Sequence, residues 1–96
     1  MKIEYSKRAI SDLHHIADYY ADSGEPVVGE RIAAAIHERV SRIAEAPLLG
    51  RPVIQRPGVR LILVMRYRYK IFYRVVASTI RIIHIRHMAR RPWPPA

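Results

Sequence analysis

Cysteine is absent from the 96 residues, so disulfides, thiolate-ligated zinc and thiol nucleophiles are excluded. Long apolar runs are missing too. None approaches the ~18 residues that a membrane-spanning helix requires, and Met1-Lys2-Ile3-Glu4 does not open a signal peptide. Glycine is scarce, four residues in all, and none stands in a G-x-G or G-K-[ST] context, which removes the phosphate-cradling loops. The most informative absence is acid: no Asp or Glu follows Glu45. Two-metal nucleases, carboxylate dyads and magnesium-dependent phosphotransferases all group acids in the site, and the C-terminal half has none to give. Histidine does not supply a metal site in their place. His14 and His15 are neighbours in a helical stretch and point about 100° apart. His84 and His87, three apart in an extended stretch, fall on opposite faces. No metal and no cofactor are expected. The expectation is one small cytoplasmic domain over residues 1–91, followed by a proline-dense, extended tail over 92–96.

What is present is a hydrophobic half and a strongly uneven charge. Half of the residues are hydrophobic and 26% are charged, a balance that folds rather than stays disordered. Residues 1–45 carry six bases and all eight acids, a net charge of −2, whereas residues 46–96 carry eleven bases and no acid, a net charge of +11. Ten of those eleven are arginine, the exception being Lys70. Arginine presents a planar, permanently charged fork that fits phosphates and carboxylates. The C-terminal half is therefore suited to an anionic partner, either nucleic acid or an acidic protein segment.

The apolar periodicity orders the elements. Residues 1–5 alternate as a short strand. Ser6 stands at an N-cap position ahead of Ile10, Leu13, Ile16 or Ala17, and Tyr20, a first helix that Gly24 ends. Pro26 opens a second, whose stripe of Ile32, Ile36, Val40 and Ile43 runs along one face until Pro47 stops it. The two should form an antiparallel hairpin. After a loop with Gly50, Pro52, Pro57 and Gly58, three strand-like runs follow at about 59–66, 69–76 and 79–87, joined by short turns as a meander. The expected fold is α+β, in the order β-α-α-β-β-β, with the helical hairpin packed on a small antiparallel sheet.

For chemistry, these residues leave only metal-free phosphoryl transfer, with a neutral His, Tyr or Lys moving protons and Arg stabilising a phosphorane. The side chains available are His87, Tyr67, Tyr69, Tyr73, Arg60, Arg74, Arg81 and Arg86. Arginine stays protonated, so a nuclease would rest on His87 as general acid or base with Arg60 and Arg81 beside it. The same tyrosines also suit amphipathic sheet packing, and the same arginines a solvated strand face. An arginine-rich sheet with stacking tyrosines is also what a plain nucleic-acid-binding module would present.

The order and spacing of several local signatures resemble the RelE/ParE superfamily of toxins from bacterial type II toxin–antitoxin pairs. The pieces are Tyr5-Ser6…Ala9…Asp12-Leu13…Ile16…Tyr19, Pro47-Leu48-Leu49-Gly50-Arg51-Pro52, Gly58-Val59-Arg60, Tyr69-Lys70-Ile71-Phe72-Tyr73-Arg74-Val75, and Ile80-Arg81-Ile82-Ile83-His84-Ile85-Arg86-His87 with Arg90-Arg91. The resemblance implies one of two activities. RelE-like members are ribosome-dependent, metal-free mRNA endoribonucleases, and ParE-like members poison DNA gyrase by binding it. Tyr73-Arg74-Val75 and the His87…Arg90-Arg91 exit look more like the ParE branch, for which no catalytic residue is asserted. The resemblance also implies a cognate antitoxin, ParD-like or similar, forming a hetero-oligomer with the toxin. Its acidic C-terminal segment would fold against the basic half, with exposed apolar residues of the helical hairpin supplying a groove. The surface expected to meet target or antitoxin comprises Arg60, Arg66, Arg68, Arg74, Arg86, His87, Arg90, Arg91 and Trp93. Trp93 either packs back on the sheet or reaches the target.

Overall fold

The computed structural model describes residues 1–90 and Trp93. A first strand, β1 (Lys2–Tyr5), leads into two helices, α1 (Lys7–Asp22) and α2 (Pro26–Glu45), and then into β2 (Arg51–Pro52), β3 (Val59–Val64), β4 (Tyr69–Val76) and β5 (Thr79–His87). These form one five-stranded sheet in the order β1-β5-β4-β3-β2. The α+β class and the helical hairpin are as expected, and three details differ. The two-residue β2 adds an edge strand on β3, pairing Arg51 with Leu61 and Pro52 with Arg60. The sheet is mixed rather than wholly antiparallel, because β1 runs parallel to β5. Finally, β3 ends at Val64, since the connection to β4 needs a tight turn in which Arg68 takes φ 62°.

The caps explain where the helices begin and end. The Ser6 hydroxyl accepts the Ala9 N–H at 3.0 Å and donates to the Ile83 carbonyl at 3.0 Å, so one side chain starts α1 and ties it to β5. Gly24 adopts φ 75° just beyond α1, a left-handed conformation that glycine takes without a Cβ clash. Along α2, Ile32, Ile36, Val40 and Ile43 are all buried. On α1 the inward position belongs to Ala9, whereas Ile10, expected in the stripe, is 43% exposed. The helices approach closely at Gly29, where an added Cβ would lie 3.3 Å from the Tyr20 Cβ.

Alternation along the strands divides the sheet into two faces. The face under the helices carries Ile62, Val64, Tyr69, Ile71, Tyr73, Ile80, Ile82 and Ile85, the main core. The opposite face carries a smaller cluster of Val59, Leu61 and Phe72, with Val53, Leu63, Ile83 and Trp93 packed on it. A bulge sets this up: Tyr73 pairs with Ile82 but Phe72 pairs with His84, which leaves Ile83 as the extra residue in β5. Before the bulge Ile80 and Ile82 face the helices, and after it Ile85 does so again.

Candidate functional site: a basic sheet face and a latched loop

The far face of the sheet concentrates positive charge by register. Lys70 on β4 stands directly opposite Arg86 on β5, and Arg74 directly opposite Arg81. Like charges placed opposite each other in an antiparallel pair cost stability, roughly 0.2–1 kcal/mol each, yet two such pairs lie on this one face. Lys70 and Arg74 are four residues apart, about 13 Å along the strand. Glu4 sits 3.6 Å from the Arg81 guanidinium, both half-exposed. The Arg86 guanidinium is held below the ordinary arginine range, first by burial and then by the charges of Arg90 and Arg8.

Between the cation pairs lies an aromatic stack. Trp93 packs on Phe72 and on His84, with ring centroids 4.8 Å apart in each case. The Arg56 guanidinium lies 3.4 Å above the Trp93 ring and that of Arg8 lies 5.5 Å away. Of the two roles open to Trp93, packing back on the sheet is therefore the one observed. A groove of about 460 Å³ runs beside it, lined by Arg51, Ile54, Arg56, Lys70 and Phe72 among others.

His84 and Asp12, given no joint role by the sequence, form a buried polar link. His84 is 1% exposed. The Asp12 Oδ2 lies 2.7 Å from His84 Nδ1 and accepts the Ile85 N–H at 2.8 Å. Arg86 Nη1 approaches His84 Nε2 at 3.3 Å, so the ring carries its proton on Nδ1 and accepts on Nε2. Asp12 thereby satisfies the edge of β5 beyond the point where β1 ends. The available signal was a lone polar residue inside the run Ile82-Ile83-His84-Ile85.

Arg60 is not on the basic face. It stands opposite Tyr73, on the helix side, and Nη1 donates to the Gly50 carbonyl at 2.7 Å and reaches the Leu48 carbonyl at 3.5 Å. The fully buried Tyr73 hydroxyl accepts the Gly50 N–H and donates to the Pro47 carbonyl, each at 2.8 Å. Gly50 is required here, because a Cβ would meet the Tyr73 ring and hydroxyl at 2.7 Å. The latch fixes a loop whose tip, Leu48 and Leu49, is 70% and 51% exposed.

At the far end of β4 and β5, His87 stands edge-on to Tyr69 at 5.1 Å and its Nδ1 accepts the Ala89 N–H at 3.0 Å. Both line a cleft of about 430 Å³ with Asp12, His15, Tyr19, Tyr20 and Arg90. The Tyr69 phenol is pushed up to about 12, first by burial and then by Tyr20 and Tyr19. Arg66, 5.4 Å above the Tyr67 ring, and Arg68 are exposed in the β3–β4 turn. Arg91 lies outside the described residues.

The structure does not bring His87, Arg60 and Arg81 together. His87 pairs with Tyr69, at one end of β4, while Arg60 and Arg81 pair with Tyr73 and Arg74 at the other. Arg60 and His87 point to the helix side and Arg81 to the opposite face. Tyr69 and Tyr73, candidates for proton transfer or stacking, are core residues. Among the described residues no three His, Cys, Asp or Glu side chains group as metal ligands, and no helix is long and apolar enough to cross a membrane.

Two helices on a mixed five-stranded sheet are the fold of the RelE/ParE toxins. The chain is similar to the isolated E. coli RelE toxin (TM-score 0.66, 14% identity, 94% of this chain and 86% of that chain). Its likeness to a chain of the intact E. coli RelBE toxin–antitoxin complex is equal in score and identity, covering 93% and 98%. A chain of the chromosomal ParDE toxin–antitoxin system from P. aeruginosa is more similar, with TM-score 0.80, 27% identity, and 91% and 95% of the two chains covered. The comparison with curated proteins gave no match. The family described as the ParE toxin of the type II toxin–antitoxin system, parDE, matches residues 3–92, and the chain belongs to it.

Proposed function

We propose that this toxin arrests growth by binding DNA gyrase, without cutting RNA, and that a cognate antitoxin neutralises it. The observation that carries this reading is the dispersal of His87, Arg60 and Arg81 over two faces and two ends of the sheet. Metal-free RNA cleavage needs its acid, base and phosphorane-stabilising groups around one phosphate, and a binding toxin needs only a surface. Membership of the ParE family and the likeness to the P. aeruginosa ParDE chain support the same branch.

The antitoxin in this reading is ParD-like, with an acidic C-terminal segment that folds on binding and forms a hetero-oligomer with the toxin. Acids of that segment meet Arg66 and Arg68, and its apolar residues meet exposed groups such as Tyr19, Val27 and Met65. Induction of the toxin alone in a bacterial host tests the target. The expected result is DNA-damage signalling with intact transcripts. Transcripts cut within translated codons, without that signalling, would overturn it in favour of a ribosome-dependent nuclease working through the His87 cleft.

A further inference from the structure

We infer that the face of the sheet away from the helices is a contact surface for the phosphate backbone of duplex DNA, independent of what the toxin inhibits. Lys70 opposite Arg86 and Arg74 opposite Arg81 place two pairs of like charge in direct register, about 13 Å apart along the strand. Glu4, beside Arg81, is the acid that the register places on this face. A partner whose charges are negative and closely spaced meets several of these cations at once. Duplex DNA carries one charge per roughly 1.7 Å of axis, so several phosphates face a patch of this length.

The apolar and aromatic groups decide between polyanions. Val59, Leu61 and Phe72 on this face are each no more than 8% exposed, because Val53 and Trp93 already cover them. An amphipathic acidic peptide needs apolar anchors to reach high affinity, and the main apolar strip here is already occupied by the chain itself. Single-stranded nucleic acid needs exposed rings on which bases stack. Phe72 and Trp93 are packed on each other, and the Arg56 guanidinium lies 3.4 Å over the Trp93 ring. What the face offers outward is charge on a rigid sheet, which suits sequence-independent backbone contact.

The test uses the purified full chain and a fluorescein-labelled duplex of about 20 base pairs, with anisotropy read from about 50 to 200 mM salt. Four phosphate contacts predict about a 150-fold loss of affinity across that range. The double variant K70Q/R74Q, two contacts fewer, should lose only about twelvefold across it and bind more weakly at the low-salt end. The control R31Q/R42Q removes the same charge from α2 and should follow the wild type. Circular dichroism and the thermal midpoint establish that each variant is folded. Equal behaviour of the two double variants would overturn the inference. So would absence of duplex binding at the lowest salt, tighter binding of a single strand of the same length, or displacement of the duplex by an equal charge concentration of poly-glutamate.

Discussion

At residue scale, Tyr73 fixes a loop from inside the core. Its hydroxyl holds Gly50 N–H and the Pro47 carbonyl. Tyr73→Phe leaves both without that partner in a buried place, at a cost of about 1–3 kcal/mol, measurable as a lower urea midpoint with unchanged slope. Tyr69 gives a pH signature. Its phenol keeps its proton up to about 12 when folded, while a tyrosine of the unfolded chain releases it near 10. Between those values the unfolded state binds fewer protons, so stability is at its full value below about pH 10 and declines as pH rises towards 12. A Tyr69→Phe variant should lose stability less steeply across that window in a series of thermal melts. Arg60 changes meaning at this scale: a guanidinium bonded to the Gly50 carbonyl at 2.7 Å is part of the loop's support rather than of a catalytic set.

At element scale, the sequence showed most of what depends on local pattern. The α2 stripe, the Ser6 cap, the Gly24 stop and the bounds of β4 and β5 all follow from period and capping chemistry, which act within a few residues. It did not show what depends on pairing. β2 is two residues long and exists only because β3 lies beside it. The parallel partnership of β1 with β5 joins residues more than seventy apart in the chain, and the bulge at Ile83 exists only once β4 and β5 are paired. Asp12 and His84 were missed for the same reason, since neither is conspicuous until α1 is laid against β5. Of the candidate site, the charge asymmetry was legible, but its distribution over the two faces required the register. That register yields a prediction: Arg74→Thr removes one member of a like-charge pair and inserts a residue that favours strands. The variant should be more stable than the wild type, by about 0.2–1 kcal/mol, read as a raised thermal midpoint.

At the scale of the whole molecule, the acids and the bases have been put to different use. The acids all lie by Glu45, and two of them serve the sheet from its edge, Asp12 on His84 and Ile85 and Glu4 on Arg81. Of the later bases that are described, most are left to the far face, the β3–β4 turn and the loop latch, while Arg90 lines the His87 cleft. The result is a protein with one sheet face covered by helices, a charged face opposite, and His87, Arg60 and Arg81 dispersed between them. We propose that such a molecule inhibits by binding. The most direct test is DNA supercoiling by purified gyrase in the presence of the purified toxin and, separately, of its His87→Ala variant. The wild-type toxin should inhibit supercoiling, His87→Ala should at most weaken that inhibition, and neither should cut mRNA on ribosomes. Unimpaired supercoiling with the wild-type toxin, together with ribosome-dependent mRNA cleavage that His87→Ala abolishes, would contradict inhibition by binding.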